Sequence, residues 1–370
     1  MLSPLDDSLW HQLPTTFDHV GTSDPRFFDR WWFAGYDPAG SAAVQVTMGV
    51  YSNMNVLDGG VMVLTGSRQH NLRVSRSLRP RFETVAGPLR VEPVVPMERH
   101  RLVVEPGDHG IALDLTWTAL LAPEEERPHF TRRDGRVVED YQRFDQVGRV
   151  DGVITTADGE IRVDDWWGCR DHSWGVRANV GIAEPTTGPP PATAAPAAAA
   201  ASRAEPAVDV RFAFLFFTTS RWAGHVQLAA RDRGQPYLTG LLRSWDDPGT
   251  ERHVVHASLA PVLHDDTRRF ASATWEVHLD DGERVLFETV SAPSTFVMAG
   301  LGYSGGWNDR RGLGVWRGVD VVEHETWDVG HPADVVLADG SVERPAHRIA
   351  PVAIHGASGE TGTGSLTLIV

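Results

Sequence analysis

The sequence predicts an all-β protein with few short helices. Three observations lead there. Val44, Val46, Met48 and Val50 alternate with Ala43, Gln45, Thr47 and Gly49. Ile111, Leu113, Leu115 and Trp117 likewise alternate with Asp114, Thr116 and Thr118. A period of two marks a half-buried strand. Turn signals at Ala157-Asp158-Gly159, Asp281-Gly282 and Asp339-Gly340 each sit between strand-like runs, as in hairpins. No segment carries a long 3.6-residue apolar repeat.

The 370 residues correspond to about two domains of roughly 150 residues each. A hydrophobic content of 41% and a charged content of 22% supply ample core material. The formal charge of -15 excludes nucleic acid and anionic membrane surfaces as electrostatic partners. The longest aromatic–aliphatic run, Phe212 to Phe217, falls far short of the ~20 residues of a transmembrane helix. The start, Met1 to Asp7, lacks a basic segment followed by an apolar one, which predicts no export. A single cysteine makes no internal disulfide and suits a cytoplasmic protein.

Taken in order, residues 1–40 read as irregular or weakly helical until the Phe27-Phe28-Asp29-Arg30-Trp31-Trp32-Phe33 cluster enters the first strand. Strands follow from Ala43 onward. Residues 185–207 are rich in Pro and Ala, bury little, and read as a flexible loop or linker. This places an N-terminal β domain at 1–184 and a C-terminal one at 208–370. The second opens with Val208 to Thr219 and holds a hairpin of Ala271–Leu279 with Arg284–Val290. Gly300 to Trp307 is glycine-rich, either passing close to a ligand or simply turning. Two similar-sized β halves fit a duplicated barrel.

The densest chemistry lies in Asp165-Trp-Trp-Gly-Cys-Arg-Asp-His-Ser-Trp-Gly-Val-Arg177. Asp171 and His172 are a candidate acid and base. In a regular strand, however, Arg170, His172 and Trp174 share one face, and Asp171 and Ser173 share the other. The two reach one pocket only if Gly168 or Gly175 makes a bulge or turn. The competing reading is an Arg–Asp ion pair at a strand crossing with His172 merely hydrogen-bonded. Trp174 and Trp167 are candidates for walling an apolar ligand or facing a cation, although most tryptophans pack cores.

Asn53, in Tyr51-Ser-Asn-Met-Asn55, offers an amide to a substrate, but turn chemistry is its commoner use. Asp145 and Gln146 either support the Asp171 region or solvate a strand. His253 and His256 face opposite ways in an extended run, and His324 points away from Glu323 and Glu325. No Cys pair or His-Glu-x-x-His is present, so no metal site is predicted. No Walker loop is present, and no Gly-x-Gly-x-x-Gly or Gly-x-Ser-x-Gly sits between a predicted strand and a predicted helix, so no cofactor is expected.

Tyr141-Gln-Arg-Phe-Asp-Gln-Val-Gly-Arg-Val-Asp-Gly152, Asp158-Gly-Glu160 and Gly168-Cys-Arg-Asp-His-Ser-Trp-Gly-Val-Arg177 together resemble the signature of a lipocalin-related superfamily. That superfamily includes the carotenoid 1,2-hydratases (hydroxyneurosporene synthase type) and the kievitone hydratase-like proteins. Phe33 to Pro38, Gly302-Tyr303 and Gly314-Val-Trp-Arg-Gly318 resemble further segments of it. The likeness covers most of the chain outside 185–207; that insert and Cys169 depart from the pattern. It implies two consecutive lipocalin-like β-barrels or half-barrels, a deep apolar cavity, and cofactor-free chemistry on a double bond.

On that basis the expected activity is a hydratase or dehydratase acting on a hydrophobic isoprenoid or prenylated small molecule. Asp171 would donate the proton from an apolar pocket that raises its pKa, against the opposing charges of Arg170 and Arg177. His172 would take the proton of the attacking water. The expected substrate-binding set is Arg170, Trp174, Trp167, Arg177, Asn53, Gln146 and Tyr303. A cyclase or isomerase using the same pocket, and a non-catalytic carrier of apolar molecules, are the alternatives. Oligomeric state is not written in these features.

Overall fold

The structure is a computed structural model that describes residues 4–7, 9, 13–133, 135–178, 180–181, 210–230, 236–265 and 267–370. Among these the chain is all-β, with short 3-10 turns at Pro4–Asp7, Ser52–Met54 and Met298–Leu301. No helix among the described residues is long and apolar enough to cross a membrane. The proposed linker, 185–207, lies outside the described residues.

Two antiparallel sheets make up the fold. The larger is open. Its order runs from Asp320–Asp328 through Arg68–Ser77, Val56–Thr65, Ala42–Tyr51 and Phe27–Tyr36 to Gly159–Val176. It continues through Arg136–Thr156, Ile111–Ala119, Arg99–Val104 and Leu89–Val95, with two-residue strands at both ends. In the smaller sheet all strands but Phe296–Val297 close into a barrel, because Arg284–Ser291 pairs with both Phe270–Leu279 and Arg348–Gly356.

The predicted strands appear where the alternation placed them, although Ala42–Tyr51, read as half-buried, is covered on both faces. Ile111–Ala119 buries Ile111, Leu113, Leu115 and Trp117, and Asp114 and Thr118 are exposed. The three predicted turns each join two paired strands. One segment crosses the division drawn from the sequence. Asp320–Asp328 returns from the C-terminal half to pair with Arg68–Ser77 along its whole length. An unpaired strand edge needs a partner or a cover, and a distant segment serves as well as a neighbouring one.

Three cores result. One fills the hollow of the open sheet around Val46, Val61, Leu115 and Trp117. A second fills the barrel around Leu215, Val226, Trp275 and Leu366. The third lies between the sheets and contains Trp32, Tyr36, Trp167, Cys169, Phe214, Phe216 and Met298. This explains the run Phe212 to Phe217. Ala213, Leu215 and Phe217 point into the barrel, while Phe214 and Phe216 point out into the shared layer. A strand covered on both faces is apolar throughout, and each large side chain so buried contributes about 1.5–3 kcal/mol. The Tyr36 hydroxyl adds a polar tie between the sheets, 2.6 Å from Ser365 Oγ.

Candidate active site

The tryptophan-rich motif lies on Gly159–Val176, between Phe27–Tyr36 and Arg136–Thr156. Its register against the first partner is unbroken from Trp167 to Val176, and against the second from Trp166 to Val176. The irregularity in the second ladder falls earlier, between Val150 and Gly152, near Asp165 with its φ of 51°. Neither Gly168 nor Gly175 makes a bulge. Gly175 has φ +132°, and a Cβ there would meet Asp140 O at 2.3 Å, so it permits a close strand approach.

Alternation therefore holds through the motif. Asp171 sits opposite Trp32 and Asp145 in its two ladders, and His172 opposite Trp31 and Phe144. The expected Asp171–His172 couple is thus corrected: consecutive side chains on a regular strand leave by opposite faces. The competing reading is met in part: Arg170 and Asp171 leave by opposite faces and do not pair, whereas His172 is hydrogen-bonded, to Asp29.

Asp171 lines a cavity of about 290 Å³ between the two sheets, close to the lower end of small-molecule sites (~300–1,000 Å³). Trp32, Phe212, Phe214, Phe216, Ile349 and Ile369 form its apolar walls. The polar lining comprises Arg143, Arg177, Tyr303, His347, Ser365 and Thr367. Asp171 makes no side-chain hydrogen bond or ion pair with a described residue. Burial raises its carboxyl above the ordinary value, and the charges of Arg143 and Arg177 oppose this without cancelling it. Both cations have other contacts: Arg143 Nη1 is 3.4 Å from Glu126 Oε1, and the Arg177 guanidinium lies 4.5 Å over the Phe28 ring. Burial, assisted by Arg177, pushes His347 down to about 4, which leaves it neutral at pH 7. Its ring meets Tyr303 edge-on at 5.5 Å.

The opposite face carries the rest of the motif. His172 Nε2 is 2.7 Å from Asp29 Oδ1, and its ring packs against Trp31, Phe144 and Trp174. Trp174 is 37% exposed and lines no described cavity. Arg170 is buried, donating from Nε to Gln146 Oε1 at 2.8 Å. Its guanidinium is boxed by Phe144, Trp117 and Phe33 at 4.9–5.9 Å, and burial lowers it to about 10. Gln146 in turn donates to Met97 O and Leu121 O. These contacts build the sheet interior.

Of the expected binding residues, Arg177 and Tyr303 therefore share the cavity with Asp171, whereas Arg170, Gln146 and Trp174 lie across the sheet. Trp167 is on the cavity's face but is packed in the core, stacked on Tyr36 at 5.5 Å. Asn53 donates to Thr22 O and Asp24 O at 2.8 and 2.9 Å, tying down the N-terminal segment. Cys169 is buried in the same layer, and burial pushes its thiol well up.

The sequence did not single out Trp32, Arg143, His347 or the outward phenylalanines for this site. The double-sided apolar run Phe212–Phe217 is the one available signal, because it implies that something covers the barrel's outer face. His347 precedes the strand Arg348–Gly356 and carries no local mark.

The sequence matches none of the curated proteins. The structure is similar to that of kievitone hydratase from Nectria haematococca, with a TM-score of 0.48 and 10% identity over 92% of this chain and 88% of that one. OprB of Pseudomonas putida aligns with a TM-score of 0.13 and 8% identity over 93% and 91% of the two chains. The transferrin binding protein B of Neisseria meningitidis serogroup B gives 0.11 and 8% over 92% and 76%. A family model covers residues 2–344, and the chain belongs to that family, a family of unknown function (DUF8625).

Proposed function

We propose that the inter-sheet cavity takes an apolar small molecule, of isoprenoid or prenylated type, and that the protein adds water to, or removes it from, a double bond. The observation that carries this reading is Asp171: it is the one carboxyl among the cavity's lining residues, and burial favours its neutral form. A neutral carboxyl in an apolar site can protonate carbon. The resemblance of the motif segments to the hydratase superfamily is the second support.

In the hydration direction, the Asp171 proton passes to one alkene carbon. The cation left on the other carbon faces the rings of Trp32, Phe214 and Phe216, each such contact contributing ~0.5–2 kcal/mol. Water adds to it, and neutral His347 accepts the water's proton. Returning that proton to Asp171 closes the cycle with the net addition of one water. Dehydration is the reverse. His347 thus takes the role that the sequence reading gave to His172.

Incubation with short prenylated phenols, with product detection by mass spectrometry in ¹⁸O-labelled water, tests the proposal. Label in the product supports hydration. Unlabelled ring-closed product would replace it with cyclisation, and tight binding without any product would leave a carrier.

A further inference from the structure

Behind the Phe214–Phe216 wall, three segments distant in sequence bring Glu126, Asp145 and His225 together. One donor atom from each lies within 4.8 Å of the others, and all three residues are buried, each 1% exposed. Asp145 belongs to the open sheet, His225 to the barrel, and Glu126 follows the short strand Glu124–Glu125.

The orientation of His225 is fixed from behind. Its Nδ1 is 2.9 Å from Glu124 Oε2. A carboxylate only accepts, so the ring proton sits on Nδ1. In the neutral ring, Nε2 then presents its lone pair to Asp145 Oδ2 at 3.4 Å. Neither His225 Nε2 nor either oxygen of Asp145 has a hydrogen-bond partner among the described residues. Lone pairs facing each other in a dry interior are costly unless an electrophile lies between them.

Charge points the same way. Glu124, Glu126 and Asp145 bring three carboxyl groups, beside which stand Arg143, 3.4 Å from Glu126, and Arg243, 3.3 Å from Glu124. His129 Nε2, 2.7 Å from Glu126 Oε2, orients the remaining carboxylate. An imidazole nitrogen with two carboxylate oxygens suits a borderline divalent ion, and a His whose other nitrogen bonds a carboxylate is the usual support of such a ligand. We propose that Glu126, Asp145 and His225 bind one divalent first-row transition-metal ion, which clamps the open sheet to the barrel. Metal–ligand distances of ~2.0–2.2 Å require only small movements of these side chains.

The test is titration of the full chain, stripped with chelator, with Zn²⁺ by calorimetry and with Co²⁺ by visible absorption. The expected result is one ion per chain, Co²⁺ ligand-field bands, and a melting temperature raised by Zn²⁺. Asp145→Asn and His225→Gln should each weaken binding by at least 100-fold, and Glu124→Gln by about tenfold. If Asp145→Asn fails to fold, the other two variants carry the same comparison. Failure of folded wild-type protein to take up a stoichiometric ion overturns the proposal, as does uptake that the folded variants leave unchanged.

Discussion

His172 Nε2 lies 2.7 Å from Asp29 Oδ1, on the face of the open sheet turned away from the cavity that Asp171 lines. The Asp29 side chain is half exposed at 52%, and exposed ion pairs contribute ~0–1 kcal/mol. Because its ring also packs against Trp31, Phe144 and Trp174, His172→Ala should cost ~1–3 kcal/mol of stability by urea denaturation and leave turnover within about threefold. A large loss of rate in a folded variant would return His172 to the mechanism.

Asp171→Asn keeps the shape of the side chain and removes the proton donor. Turnover should fall by ~10²–10⁴-fold, with affinity for an apolar ligand changed only a few-fold. Because burial raises the Asp171 carboxyl, the rate should also decline as pH rises past that raised value. A pH–rate profile and ligand-quenched tryptophan fluorescence measure the two effects separately.

His347 is held neutral in the folded chain, down to about 4 from an ordinary 6.5. An unfolded chain takes up this proton near pH 6.5, the folded one only near 4. The stability due to His347 is thus complete above pH 6.5 and lost as pH falls toward 4, by as much as ~3 kcal/mol. His100, lowered to about 3 by burial and then by Arg170, acts in the same sense. His347→Gln should flatten the fall in urea midpoint between pH 7 and 4.5 and lower turnover at neutral pH. An unchanged pH slope would show that the ring is not held in the neutral form.

Gly175→Ala should destabilise the protein by ~2–3 kcal/mol. Its φ of +132° suits glycine, and the new Cβ would meet Asp140 O at 2.3 Å and Tyr141 Cα at 2.6 Å. A thermal melt checks this; a shift of less than about 2 °C would contradict the close approach of the two strands.

Strand identity was legible because a side chain's direction repeats every two residues. Ile111, Leu113, Leu115 and Trp117 mark their inward face from local sequence alone. The same rule already placed Asp171 and His172 on opposite faces, and only an assumed glycine bulge brought them together. The structure puts the irregularity at Asp165 instead, where neighbouring residues gave no hint of it. Arg170 stood in the expected substrate-binding set; its aromatic box is assembled from three strands and has no local signature.

By itself, then, the sequence determined an all-β chain, its turns, and the strand that carries the motif. These follow from interactions between residues close along the backbone. The tertiary structure alone decided that Asp171 meets His347 and Tyr303 in one cavity, that Asp320–Asp328 joins the first sheet, and that Glu126, Asp145 and His225 converge. Each depends on which face of one sheet covers which face of the other. Apolar burial drives that packing without direction along the chain, so no short stretch of sequence records it.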